Sequence, residues 1–353
     1  MNRRQMISRA MGALGAGAAL GLNHSGAVEA KPPTRPPGGA PGGRAAFIQR
    51  YMRRPGRKNV LAWAPVENGV QHNSISHAIS VLERLGYVSE LYDTYIHTDS
   101  QPITLHGMLG SYGQGVMGRD LNNYDAIVCI GVREVYLTAQ QRTDLLEFIR
   151  NGGGFVGVHA ASTMFLPWPA FGKRQDEEAG CGRTFNRWPE FNEMLGAEFV
   201  EHPYGVIDAP VIVDDPRFPA TRFLPAKFNL QDEMYEFRNF SREKMDVVLR
   251  LDSSRLSLQR AGVTDRTADW PLAWAKSFGK GRVFYCALGH ARVTWDIPDI
   301  QRIYFEAVKW ALRLQEGDVA SHPMREVAGS AADLPPPPPP SGPRWALALG
   351  GKV

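Results

Sequence analysis

Four of the nine histidines stand at or just beyond the ends of apolar runs that read as strands. His72 follows one such run by a loop, in Gly69-Val70-Gln71-His72-Asn73-Ser74. His159 closes Phe155-Val156-Gly157-Val158, and His202 closes Ala197-Glu198-Phe199-Val200-Glu201. His290 follows Phe284-Tyr285-Cys286-Ala287-Leu288-Gly289. Asp232 and Glu233, then Met234 and Tyr235, add carboxylates and a phenol. Neutral imidazoles and carboxylates suit proton transfer near neutral pH and metal ligation. A single histidine ordinarily satisfies a structural hydrogen bond, but of four at strand ends at least two are expected to line one pocket. Neither HExxH nor a CxxC pair occurs, so a metal site would have to be assembled from distant segments. No cofactor is fixed by these residues. Zinc is the candidate ion, with His159, His202 or His290 as its ligands.

Gly157-x-His159-x-Ala161 lies where a strand turns toward a helix, the placement of a nucleophile elbow. The apex is an imidazole, a poor permanent nucleophile for amide hydrolysis. Ser162 and Thr163 are the nearby hydroxyls, and neither is expected to attack a substrate. Acid–base work by His159, His290, His202, His72 and Glu233 is the expectation, with Asn73, Asp232 and Tyr235 contacting substrate.

The elements that must position these groups alternate between strand and helix. Lys58–Ala64 reads as a strand. Ser74 opens a helix with Ile75, Ala78, Ile79, Leu82 and Leu85 on one face and Gly86 as its stop. Tyr87–Tyr92 and Tyr124–Ile130 read as further strands, the latter apolar throughout as a buried parallel strand should be. Thr138 with Gln141 is a capping-box pattern before a helix carrying Leu145, Leu146, Phe148 and Ile149. Gly152-Gly153-Gly154 leads into the strand that ends at His159. This alternation predicts a doubly wound α/β sheet. The second half is richer in strands: Ala197–Glu201, Pro210–Val213, Val247–Leu251, Leu272–Lys276 and Arg282–Ala287. Some of these are expected to form an antiparallel extension. Ile300, Ile303, Tyr304, Ala307, Ala311 and Leu312 mark a closing amphipathic helix. In open α/β sheets ligands sit beyond the carboxyl ends of the strands, where these histidines fall.

GVQHNSI (69–75), GGGFVGVHAA (152–161), FNEMLGAEFVEHP (191–203), DEMY (232–235), PLAWAKSFGKGRVFYCALGH (271–290) and WAL (310–312) together resemble the ThuA-like family, named for trehalose utilisation. The resemblance covers about residues 58–315. It implies a flavodoxin-like, class I glutamine-amidotransferase-like sandwich, with His159 where the amidotransferases carry their cysteine. It also implies a sugar substrate, of the trehalose type or a 3-keto derivative. The family often has an acidic residue soon after HAA. Here the chain continues Ser162-Thr163-Met164-Phe165, leaving Asp176 or Glu177 as the nearest acids.

Sugar sites often present aromatic faces. Trp168 and Trp295 lie in expected loops beside the histidine segments and are the candidate platforms, whereas Trp188, Trp270 and Trp274 read as packing residues. Cys129 and Cys286 lie inside apolar strands, and Cys181 lies in a glycine loop. Three cysteines make no disulfide framework.

The start, Asn2 to Arg9, is basic and is followed by an uncharged stretch from Ala10 to Asn23, with Val28 and Ala30 as a cleavage pattern. Paired Arg3 and Arg4 resemble a twin-arginine export signal over 1–30, although Asn2 and Met6 depart from the usual Ser and Phe. The expectation is a periplasmic or secreted protein that meets the twin-arginine translocase during export. Residues 31–44 (KPPTRPPGGAPGGR) read as a flexible linker, 45–320 as the folded domain and 321–353, with Pro335 to Pro340, as a Pro-rich flexible tail. Lys+Arg 40 against Asp+Glu 36 gives +4. Loss of Arg3, Arg4, Arg9 and Glu29 would leave +2, scattered charge that argues against a nucleic-acid partner. The partner expected instead is a small carbohydrate. Three functions fit: acid–base chemistry on a sugar or glycoside by a hydrolase, lyase or isomerase, non-catalytic carbohydrate binding, and zinc-dependent hydrolysis.

Overall fold

The structure is a computed structural model that describes residues 54–327 apart from 68, 70, 108–118, 134–136, 166–187, 266 and 268. The export signal, the linker, the tail beyond 327, Trp168, Asp176, Glu177 and Cys181 fall outside the described residues.

The chain enters through β1 (Lys58–Trp63), whose apolar run is buried almost throughout. Helix α1 (Ile75–Ser89) returns it to β2 (Tyr92–His97). Strand β3 (Ala126–Cys129), helix α2 (Ala139–Arg150) and β4 (Gly154–Val158) repeat the unit. After helix α3 (Pro189–Leu195) come β5 (Glu198–Glu201), β6 (Val206–Val213), β7 (Lys227–Glu233), β8 (Glu236–Arg238), β9 (Asp246–Leu251), β10 (Pro271–Phe278) and β11 (Gly281–Cys286). Helix α4 (Pro298–Ala311) closes the fold.

Among the described residues, a nine-stranded sheet has the order β2-β1-β3-β4-β11-β10-β9-β6-β7, and β5 and β8 form a separate pair. Strands β2, β1, β3, β4 and β11 are mutually parallel. Strands β10, β9, β6 and β7 continue the sheet antiparallel. The expected doubly wound sheet with an antiparallel extension is the architecture observed. The chain moves one way from β1 to β2 and the opposite way from β3 to β4, so right-handed crossovers put α1 and α2 on opposite faces. The switch point lies between β1 and β3.

The capping box forms as expected. Gln141 N–H donates to Thr138 Oγ1 at 3.2 Å, and Thr138 N–H donates to Gln141 Oε1 at 3.1 Å. Gly86 does not stop α1, which runs on to Ser89 and ends at Glu90 in the left-handed conformation. The reason is packing. A Cβ on Gly86 would stand 2.4 Å from the Tyr92 ring and 2.7 Å from the Tyr92 carbonyl, so the glycine lets β2 lie close under the helix. Strand β2 therefore begins at Tyr92 rather than Tyr87. The 197–201 strand joins the small sheet rather than the large one. Residues 321–327 are docked, unlike the free tail expected from 321. His322 Nε2 lies 2.9 Å from Asp246 Oδ1, Arg325 N–H donates to Asp214 Oδ1 at 2.9 Å, and Arg250 donates to the Arg325 carbonyl at 2.8 Å. Among the described residues, no helix is long and apolar enough to cross a membrane.

Candidate functional site

Three loops leave the carboxyl ends of parallel strands and bring three histidines together. His72 comes from the loop after β1, His159 from the end of β4, and His290 from the loop after β11. His159 has φ of +43°, in the left-handed region that non-glycine residues seldom occupy. That is the backbone signature of an elbow, and it turns the imidazole out of the strand.

Hydrogen bonds hold His159 in place. Its Nδ1 lies 2.5 Å from the Ala287 carbonyl. A carbonyl only accepts, so Nδ1 carries a proton, and in the neutral ring Nε2 presents its lone pair. Tyr285, fully buried, donates to the His159 carbonyl at 2.6 Å and lies 2.8 Å from Ser162 Oγ. Ser162 thus braces the turn.

Around His159 Nε2, polar atoms converge. Tyr235 Oη lies at 2.9 Å, His290 Nδ1 at 3.2 Å and Glu233 Oε2 at 3.3 Å. Glu233 Oε2 is also 3.0 Å from His290 Nδ1. The His72 ring sits edge-on to both partners, with centroids 5.2 Å from His159 and 4.7 Å from His290. His202 stands at the margin, with Nε2 3.8 Å from Glu233 Oε1 and Nδ1 3.1 Å from Glu201. His159 is buried, while His290 and His202 keep 25% and 37% of their side-chain surface, so the cluster has one open side.

The charges follow from this packing. Burial alone would raise the Glu233 carboxyl, but its contacts with the His159 and His290 imidazoles outweigh it and hold the group far below the usual carboxylate range. The same contact with Glu233 raises His290. Burial, together with the facing His159 and His290 rings, lowers His72 to about 4. Burial also holds the Tyr235 phenol well above its usual range, so it remains a hydrogen-bond donor. The site therefore contains an ionised carboxylate, a phenol donor and several imidazoles within reach of one another. Such a set can move protons or ligate a metal.

The other expected contacts divide. Asn73 is exposed beside His72. Asp232 is fully buried and accepts from Gly289 N–H at 2.6 Å, His290 N–H at 3.1 Å and Glu233 N–H at 2.9 Å. It works by holding two site loops together, and burial raises its carboxyl. Trp295 is also fully buried, stacked on Tyr304 at 4.6 Å, with its indole N–H donating to the Gly289 carbonyl at 3.1 Å. It offers no face to a sugar, because loop 289–295 folds back over it, and it braces the turn before His290. Trp270 and Trp274 are core residues. Cys129 and Cys286 are buried free thiols pushed up to about 12 by burial. The residues that sequence reasoning missed are Tyr285 and Ala287. The Ala287 contact is a backbone carbonyl, which no side-chain pattern could have marked.

A parallel sheet with an elbow after its fourth strand, an imidazole at the apex and an antiparallel extension defines a class I glutamine-amidotransferase-like protein whose elbow lacks the cysteine. The chain belongs to the ThuA family: the family model described as trehalose utilisation matches residues 59–311. Membership relates it to trehalose utilisation. A solved ThuA-like protein from Bacteroides uniformis is 21% identical, with TM-score 0.52, covering 72% of this chain and 91% of that one. Another from Parabacteroides merdae is 17% identical, with TM-score 0.52, covering 80% and 96%. At these identities the two neighbours support the fold alone. No curated protein matches the chain.

Proposed function

We propose that this chain is exported through the twin-arginine route and acts on a sugar or glycoside, of the trehalose type or a keto derivative, by proton transfer at the His159–Glu233–His290 cluster. The observation that carries the reading is one carboxylate oxygen, Glu233 Oε2, lying 3.3 Å from His159 and 3.0 Å from His290. An imidazole takes a proton from carbon or hydroxyl beside a carbonyl, and the carboxylate balances the imidazolium formed. A neighbouring imidazole returns a proton to the product. The missing elbow thiol argues against covalent acyl transfer, and the family supplies the substrate class.

The test is turnover of trehalose-type disaccharides and their 3-keto derivatives by the mature protein, with Glu233→Gln alongside. The reading expects a product from at least one sugar and loss of about 100-fold or more in the variant, the usual size of a general acid–base contribution. Sugar binding with no turnover by the wild type would replace this reading with a carbohydrate-binding role on the same scaffold.

A further inference from the structure

We propose that His72, His159 and His290 form a binding site for a divalent transition metal of the zinc type, with Glu233 at its edge. The inference rests on the cluster being the reaction site, and it names the ion that site takes. The three imidazoles each offer a ring nitrogen, and these nitrogens all lie within 4.8 Å of one another. His159 Nε2, His290 Nδ1 and Glu233 Oε2 form a triangle with sides of 3.2, 3.0 and 3.3 Å. Bonds of 2.0–2.1 Å to a tetrahedral zinc ion place its ligands about 3.4 Å apart, so the triangle already has the spacing of a coordination edge.

Hydrogen bonding leaves two acceptors facing each other in this triangle. Neutral His159 donates its Nδ1 proton to Ala287, so its Nε2 lone pair, which accepts from Tyr235 Oη at 2.9 Å, also faces a carboxylate oxygen at 3.3 Å. His290 Nδ1 carries at most one proton for the two acceptors that flank it. A cation among them serves all three. Tyr235 then keeps Glu233 as the acceptor for its phenol, a contact already present.

The supporting shell has the character that metal sites use. The ligand nitrogen of His159 is oriented by a carbonyl on its other nitrogen, and the backbone bond to Asp232 fixes the loop that carries His290. Imidazole ligands favour zinc and its first-row neighbours over magnesium or calcium. His72 lies in a partly exposed loop, which leaves a route for the ion and an open coordination position for a substrate oxygen. His202 stands outside the group of three, so the ligand set differs from the His159, His202 and His290 that strand ends alone suggest.

The mature protein is exposed to zinc, freed of excess by gel filtration and analysed for metal. A parallel sample is titrated with cobalt(II) and read by visible absorption. His72→Ala, His290→Ala and His77→Ala are treated identically; His77 pairs with Asp296 and lies outside the cluster. Expected are stoichiometric zinc and a saturable cobalt(II) band in the wild type and His77→Ala, with both lost in His72→Ala and His290→Ala. Zinc at background in the wild type overturns the inference, as does zinc retained equally by all four proteins. Sugar turnover is measured on the same samples. Bound metal with no turnover of any sugar would leave this site standing and remove the proposed function. Turnover without bound metal would do the reverse.

Discussion

His159 joins an unusual backbone angle to a convergence of polar side chains. A left-handed non-glycine residue costs on the order of 1–3 kcal/mol and persists only where its surroundings enforce it. Here Ala287, Tyr285 and Tyr235 do the enforcing. Asp232 acts beneath them by tying Gly289, His290 and Glu233 together. Replacing Asp232 with Ala leaves buried N–H groups without partners and should destabilise the protein by roughly 3 kcal/mol. Urea denaturation measures this, and an unchanged midpoint would remove Asp232 from that role. Much of the cluster was legible at this scale. His72, His159 and His290 sit where the strand-end rule points, and Glu233 and Tyr235 came with the DEMY segment. The Trp295 assignment failed because a tryptophan in a loop looks the same in sequence whether it faces solvent or is folded under its own turn.

At the scale of elements, local signals were read more faithfully than distant ones. Thr138 and Gln141 announce the start of α2 because a capping box involves four consecutive residues. Strand β7 was not legible, since Lys227–Glu233 (KFNLQDE) mixes polar and apolar residues without a clean alternation and takes its place by pairing with β6. Gly86 looks like a helix stop in sequence because its function, close approach to Tyr92, is tertiary. Competing magnitudes decide the outcome of Gly86→Ala. Alanine gains about 1 kcal/mol in helix propensity, whereas forcing a methyl against a fixed carbonyl and a buried ring costs about 1–3 kcal/mol. Net destabilisation of about 1 kcal/mol is expected in thermal or urea melts. A stabilised variant would show that β2 shifts freely under α1.

For the whole molecule, pH acts through the segment that closes the fold at its C-terminal end. Burial, with Asp215 nearby, pushes the Asp246 carboxyl up to about 7, while His322 opposes the shift. The folded value is thus raised above the ordinary value near 3.9. Its contribution is fully present below about pH 4 and is lost as pH rises toward 7. Between pH 5 and pH 7 this group should therefore withdraw stability as it ionises. In Asp246→Asn that loss should disappear, leaving the variant less pH-sensitive over the same range in urea unfolding. An identical slope in both proteins would place the pH response elsewhere.

Proton transfer to and from a sugar at the imidazole–carboxylate cluster is tested most directly by incubating a 3-keto disaccharide with the mature protein in deuterium oxide and following the sugar by NMR. Deuterium entering beside the carbonyl with wild type, and at the uncatalysed rate with His159→Ala, is the predicted result. A keto-sugar that stays unlabelled and unchanged with the folded wild-type protein would contradict the claim.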